Sequence, residues 1–407
     1  MTDGVFALHG FRRFWAAETV SDFGSYVTTI SLQVLVLGTL HGTASDVGLL
    51  NGARWLPYLL LGLVVGALVD RRRRQPILLA TDLGRGLLLG AIPLLWLADL
   101  LTLPVLLVFM LVFGTLALFS DAASQSFLPR LVERRHLLSA NARLDQSSAV
   151  AQTSGPVLGG ALVTLLGAPV AVLVDAVSYL ASGVLIATLR VTETVSDHRA
   201  GPGMRHEIGE GLRWIYRHHT LAPLALSTHG WFVFNSMLGT VFVPFVLIGL
   251  HRNAFELGLT LAAAGVGGLV GSLLSTRLGL RYGAGRTVLA SRFVQPVAWA
   301  VIALAPQGPY LLGVLALGQL VYGFALGAEN ANEMGYWQSL TPDELQGRMN
   351  ATRRSVNRAM IVVGAPVGGF LAEAIGYRPV LWIGVVGFVV VTTFLALSPF
   401  RNARHDD

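Results

Sequence analysis

The sequence predicts an all-α integral membrane protein with twelve transmembrane helices in two pseudo-symmetric six-helix bundles. Three observations predict it. Charged residues make up 13% of the chain and apolar residues 53%, whereas a water-soluble domain carries about 25% charged residues, so lipid is the main solvent. Apolar runs of about twenty residues, enough to span a bilayer, recur along the chain. Segments of the first half also return in the second at a constant offset.

The expected spans are 14–40, 46–69, 76–98, 103–125, 144–166 and 169–190, then 222–249, 254–276, 286–305, 309–334, 350–375 and 378–398. This divides the chain into a bundle over 1–190, a polar linker over 191–220, and a second bundle with a short tail over 221–407. The linker's second part, "HEIGEGLRWIYRHHT", puts Ile208, Leu212 and Ile215 on one helical face. That pattern fits an amphipathic helix lying at the membrane interface, or equally a plain linker helix.

Arginine placement orients the spans. The chain contains no lysine. The segments expected on the cytoplasmic side hold 25 of the 29 arginines, Arg292 among them, the opposite side holds only Arg252 and Arg378, and Arg54 and Arg85 fall inside helices. By the positive-inside rule both termini are expected to be cytoplasmic, and the expected location is the cell's inner, or plasma, membrane. The N-terminus has no apolar run followed by a cleavage site and is expected to be retained.

The repeat is seen in "LVFG" at Leu111–Gly114 against "LVYG" at Leu320–Gly323, in Asn141-Ala142 against Asn350-Ala351, and in Gly159 and Gly160 against Gly368 and Gly369. All are 209 residues apart. A repeat of six helices keeps its orientation, so it is a parallel repeat, the 6+6 layout of alternating-access transporters with substrate at the midplane.

Composition excludes other chemistries. Without cysteine there is no disulfide or thiolate metal site, and without lysine no Schiff base. No nucleophile–histidine–acid spacing, metal cluster or phosphate loop is present, so no enzyme activity and no cofactor or metal is expected. The run Arg71–Arg74 lies between spanning helices and outside any basic soluble domain, which argues against nucleic acid.

The stretch "GALVDRRRR" resembles the loop signature of the major facilitator superfamily, Gly-x-Leu-x-Asp-Arg-x-Gly-Arg, with Gly66, Leu68, Asp70, Arg71 and Arg74 matching and Arg73 in place of the glycine. "SGPVLGG", with Gly155, Pro156, Gly159 and Gly160, is similar to the helix-5 motif of that superfamily's antiporters. "FLPRLVERRHLLSANA" and "YWQSLTPDELQGRMNATRR" resemble the drug-efflux branch that holds macrolide-efflux proteins and the enterobactin exporter. The resemblance covers essentially the whole chain. It implies rocking of two bundles, with Gly66, Asp70, Arg71 and Arg74 in a gating loop that Asp121 joins. The alternative is that these loop charges only set orientation. The family's acid after the helix-1 glycine is Ser25 here, and the helix-4 arginine of drug antiporters is missing.

Ionisable residues at membrane depth need a partner or a wet cavity. Glu18 and Asp22 share one face of helix 1, and Arg54 lies in helix 2 at a depth within reach of Asp22. An Asp22–Arg54 pair is therefore expected, either as a proton-coupling site with Glu18 second or as a permanent ion pair. Asp82 and Arg85 are spaced to pair locally, and Glu329 and Glu333 share a face of helix 10. Tyr26, Gln33, Tyr58, Trp231, Phe234, Asn235 and Tyr322 are the expected substrate-cavity residues, and rigid aromatics with few polar groups suit a bulky amphipathic molecule. The expected function is export of such a compound, a drug or a siderophore-like metabolite, by proton antiport. The alternative is proton-independent facilitation or uptake of a small metabolite. The expected partners are the substrate, protons and the bilayer, with the chain acting as a monomer.

Overall fold

The computed structural model describes residues 4–70, 72–189, 191 and 204–403. They form thirteen α-helices and no strand. Twelve are the long helices: α1 (His9–Val34), α2 (Ala44–Asp70), α3 (Arg74–Leu97), α4 (Leu103–Leu131), α5 (Leu137–Leu166) and α6 (Ala168–Ala187), then α8 (Leu221–Pro244), α9 (Ala254–Tyr282), α10 (Ala284–Ala303), α11 (Leu311–Leu340), α12 (Asp343–Ile375) and α13 (Tyr377–Ala396). The short α7 (Met204–Arg217) lies in the linker. Ten of the long helices are long and apolar enough to cross a membrane.

Two compact units result: Met1–His41 with Ala53–Gly201, and Gly42–Gly52 with Pro202–Asp407. The division departs from the sequence boundaries in two ways. The first turns of α2 belong to the second unit, where Glu373 of α12 accepts hydrogen bonds from Thr43 (3.1 Å) and Ser45. Helix α7 also belongs to the second unit.

The repeat is built into the backbone. Helices α6 and α13 differ by 209 positions at both ends. Both α1 and α8 end in a π-helical turn, Leu35–Thr39 and Phe245–Gly249, followed by a left-handed histidine, His41 (φ 51°) and His251 (φ 55°). Close helix crossings repeat too. A Cβ on Gly114 would lie 2.0 Å from the Arg54 carbonyl oxygen, and one on Gly323 would lie 1.9 Å from that of Ala264. Only glycine lets α2 meet α4, and α9 meet α11, this closely.

Helix α7 docks on the start of α12. Glu210 pairs with Arg348, Trp214 Nε1 donates to Thr341 (3.3 Å), and Ile215 is buried among Leu221, Leu224 and Met349. Leu212, expected on the apolar face, is 37% exposed. The face that packs runs through Gly211 and Ile215, because Gly211 brings α7 against the Arg348 backbone. The side chain of Ile208 lies outside the described residues.

Candidate functional site

The first unit encloses a cavity of about 180 Å³ where α1, α2, α3, α4 and α6 converge. Its charged walls are Glu18 and Asp22 of α1, Arg54 of α2, Asp82 and Arg85 of α3, and Asp121 of α4. Trp55, Tyr58, Phe113 and Tyr179 supply aromatic faces, and serines fill the remaining polar positions.

One corner is a closed ion pair. Arg85 Nη2 lies 2.5 Å from Asp82 Oδ1 and donates to Ser120 Oγ (2.9 Å), and its guanidinium sits 4.2 Å from the centre of the Tyr179 ring. Ser182 donates to the other Asp82 oxygen (2.6 Å). This is the expected local i,i+3 pair, and it is more elaborate than spacing implied. Every group here is buried, and a buried ion pair persists only when its remaining donors and acceptors are satisfied. Ser120, Tyr179 and Ser182 do that.

Two further carboxylates of the cavity accept from hydroxyl groups. Ser124 donates to Glu18 (3.0 Å), and Tyr58 donates to Asp121 (2.9 Å). Asp121 thus lines the cavity at Tyr58. The expected Asp22–Arg54 ion pair is not formed. Both side chains line the cavity, but Arg54 donates to Thr29 Oγ1 (3.2 Å) and lies 5.4 Å above the Phe113 ring. Thr29 is seven residues beyond Asp22, about 10 Å along the helix. Helix α1 begins at His9, five residues before the expected span. Among the described residues no carboxylate lies within ion-pair distance of Arg54.

The second unit has a polar focus of its own, which contradicts the assignment of Arg292 to a cytoplasmic segment. Arg292 lies eight residues into α10 and is 1% exposed. It donates to Glu329 (2.6 Å), Glu333 (3.0 Å), Ser227 (2.7 Å) and Thr228 (2.7 Å). Gln295 donates to the second Glu329 oxygen (2.6 Å), and Arg353 donates to Glu333 (3.3 Å). The i,i+4 spacing of Glu329 and Glu333 was a readable signal, since two acids in an apolar helix need a cation. The counterpart was missed because Arg292, although inside the expected span 286–305, was counted with the cytoplasmic arginines.

The remaining expected cavity residues divide between the units. Tyr58 alone lines the first unit's cavity. Tyr26 packs on Gly155, where a Cβ would lie 2.6 Å from its own, and Gln33 is buried. Gly159 likewise lets α5 approach Val27, while Pro156 and Gly160 are buried in α5. In the second unit Trp231 donates to Gln295 (2.5 Å) and stacks on Phe388, and Phe234 packs on Gly387. Tyr322 donates to Asn235 (2.5 Å), tying α11 to α8. His229 is held by Tyr216 and Asn357, both at 2.7 Å. In the stretch expected to form the gating loop, Gly66 has open space above it and Arg74 is buried. Arg71 and the side chain of Asp70 lie outside the described residues.

Twelve long helices with a parallel repeat and ionisable clusters inside each bundle define a membrane transporter of the major facilitator type. Residues 4–407 match the model of the transmembrane secretion effector family, and the chain belongs to that family. Among curated proteins it is 28% identical to the multidrug efflux pump Tap of Mycolicibacterium fortuitum, over 91% of this chain and 93% of that one. It is also 28% identical to the enterobactin exporter EntS of Citrobacter koseri, over 91% and 84%. Among solved structures, the nucleoside transporter NupG superposes with a TM-score of 0.77 at 13% identity, over 96% of this chain and 98% of that one. A bacterial homologue of ferroportin gives 0.75 at 15% identity, over 95% and 97%. The structural likenesses concern the fold alone. The chain is a multi-pass membrane transporter.

Proposed function

We propose that the protein exports a small amphipathic organic compound, a drug or a siderophore-like metabolite, from the cell by proton antiport. It would act as a monomer in the plasma (inner) membrane with both termini cytoplasmic. The relatives named as a multidrug pump and a siderophore exporter support the direction and the substrate class. The proton-coupling part rests on one observation, the charge imbalance of the first unit's cavity. Asp82 is matched by Arg85, which leaves Glu18 and Asp22 facing Arg54, the one other cation that lines the cavity among the described residues. Surplus carboxylates inside a membrane are costly to keep ionised, and protons are the ligands that neutralise them. Glu18 and Asp22 are the proposed carriers, and Arg54 and Tyr58 hold the cavity polar.

The test is transport in vesicles with an imposed pH gradient, following macrolides, lipophilic cations and siderophores in turn. Flux of at least one compound should follow the gradient. Asp22→Asn and Glu18→Gln should each uncouple flux from pH while leaving the protein folded. Flux indifferent to the gradient would leave a facilitator instead.

A further inference from the structure

The second unit has another cavity, of about 200 Å³, that the transport site does not use. It lies over α11 between the C-terminal end of α9 and the N-terminal end of α10. Its origin is geometric. Gly271 and Gly327 draw α9 onto α11 so closely that an added Cβ would lie 2.1 Å from the Phe324 carbonyl oxygen and 2.2 Å from that of Gly268. Helix α10 packs on α11 as well, but α9 and α10 touch each other little. The furrow between them is floored by small side chains, Ala325 and Ala328, and walled by Leu278, Ala290, Val294 and Phe324.

The wall is almost wholly apolar, and the polar end is cationic. Arg286 lines the cavity and is exposed, and among the described residues no carboxylate pairs with it. Tyr282 lines the same end, and the Arg281 guanidinium lies 5.3 Å from the centre of its ring. Two cations therefore stand at one mouth of an apolar furrow, on the arginine-rich ends of two spanning helices. An apolar furrow with a cationic end complements an amphiphile with an acyl chain and an anionic head.

We propose that this furrow is a binding site for an anionic phospholipid, one acyl chain lying over Ala325 and Ala328 and the phosphate held by Arg286 with Arg281. The assignment stands apart from the transport reading, because it involves neither the first unit's cavity nor any proton.

Native mass spectrometry of the full-length, delipidated protein tests it. The probes are phosphatidylglycerol and phosphatidylcholine of identical acyl chains, added separately. The parent should retain phosphatidylglycerol in preference. Arg286→Ala should lower that preference about fivefold, the effect of one basic residue at an anionic surface, and Arg286→Lys should keep it. Ala290→Phe, which fills the furrow without touching the charge, should release the bound lipid. Equal retention of the two lipids by the parent would overturn the proposal. So would a preference that survives both Arg286→Ala and Ala290→Phe. Because retention is read on the intact protein, a variant that failed to fold would be seen as such, and Arg286→Lys and Ala290→Phe test charge and shape separately.

Discussion

Replacing Arg292 by methionine separates a structural ion cluster from a mobile one. Methionine fills much of the same volume but removes the hydrogen bonds to Glu329, Glu333, Ser227 and Thr228. Glu333 keeps Arg353, whereas Glu329 is left with Gln295 alone. At a charge separation of about 4 Å and an effective dielectric of about 20, each lost attraction is about 4 kcal/mol. Breaking a buried pair by deleting one partner costs about 3–5 kcal/mol, because the other charge stays buried. The expected loss is therefore about 3–5 kcal/mol for Arg292→Met, chiefly through Glu329. The double variant Arg292→Met/Glu329→Gln should recover about 2 kcal/mol of it, since no uncompensated charge remains there. Equilibrium unfolding in mixed micelles reads this through intrinsic fluorescence. Trp337 donates to Glu333 (3.2 Å) and Trp231 to Gln295, so two reporters touch the cluster. A single variant within about 1 kcal/mol of the parent, or a double variant no better than the single, would refute the reasoning.

Three further outcomes follow from the geometry. Gly114→Ala and Gly323→Ala each put a methyl group onto a backbone oxygen at 2.0 and 1.9 Å, and overpacking of this kind costs about 1–3 kcal/mol. Both should elute less monodisperse and melt lower than Gly66→Ala, whose Cβ meets open space. Tyr216→Phe removes the donor to His229 Nε2, which accepts because Nδ1–H donates to Asn357. The loss is about 1 kcal/mol, read as faster hydrogen exchange across 204–217 with α12 unaffected. His218 lies in the link before α8, where its Nδ1 accepts from the backbone N–H groups of Thr220 (3.3 Å) and Leu221 (3.4 Å). Burial, and then the neighbouring His219, hold its pKa below the ordinary 6.5. The folded state therefore binds fewer protons there than the unfolded state, so the contribution is full above pH 6.5 and is lost as pH falls through the lowered pKa. Thermal midpoints measured from pH 8 to 5 should fall less steeply in His218→Asn than in the parent.

Much of this was legible because membrane folds are set by long, strong periodicities. The expected span 169–190 became Ala168–Ala187, and 378–398 became Tyr377–Ala396. The offset of 209 seen in a few short matches reappeared in the ends of α6 and α13, and the π turns and the α2 and α9 sides of the glycine crossings follow at 210. What failed was the choice of partner. Asp22 and Arg54 do line one cavity, but similar depth does not say which group an arginine takes there. Arg54 faces Thr29 and Phe113 instead. Serines and tyrosines gave no signal, because Ser120, Tyr179, Ser182 and Ser124 look ordinary until the fold brings their hydroxyls to Arg85, Asp82 and Glu18. The π turns were equally silent, since Leu35–Thr39 and Phe245–Gly249 are as apolar as their surroundings.

The repeat also explains why the two ionisable clusters should differ in role. Each sits where the first, third and fourth helices of its unit meet. Positions about 209–210 apart correspond: Glu18 to Thr228, Asp82 to Arg292, Arg85 to Gln295, Ser120 to Glu329 and Ser124 to Glu333. The hydrogen bond from Ser124 to Glu18 (3.0 Å) thus has its counterpart in the contact from Thr228 to Glu333 (3.5 Å), with acid and hydroxyl exchanged between helices. In the second unit the exchange leaves Arg292 and Arg353 against Glu329 and Glu333, a balanced set with every carboxylate paired. In the first unit the same focus keeps one closed pair and opens into a cavity with more carboxylates than cations. A balanced, buried cluster gains nothing from a proton, whereas an acid-rich cavity does. This contrast supports the proposal that Glu18 and Asp22 carry the protons, while the paired Glu329 ties α11 to α10.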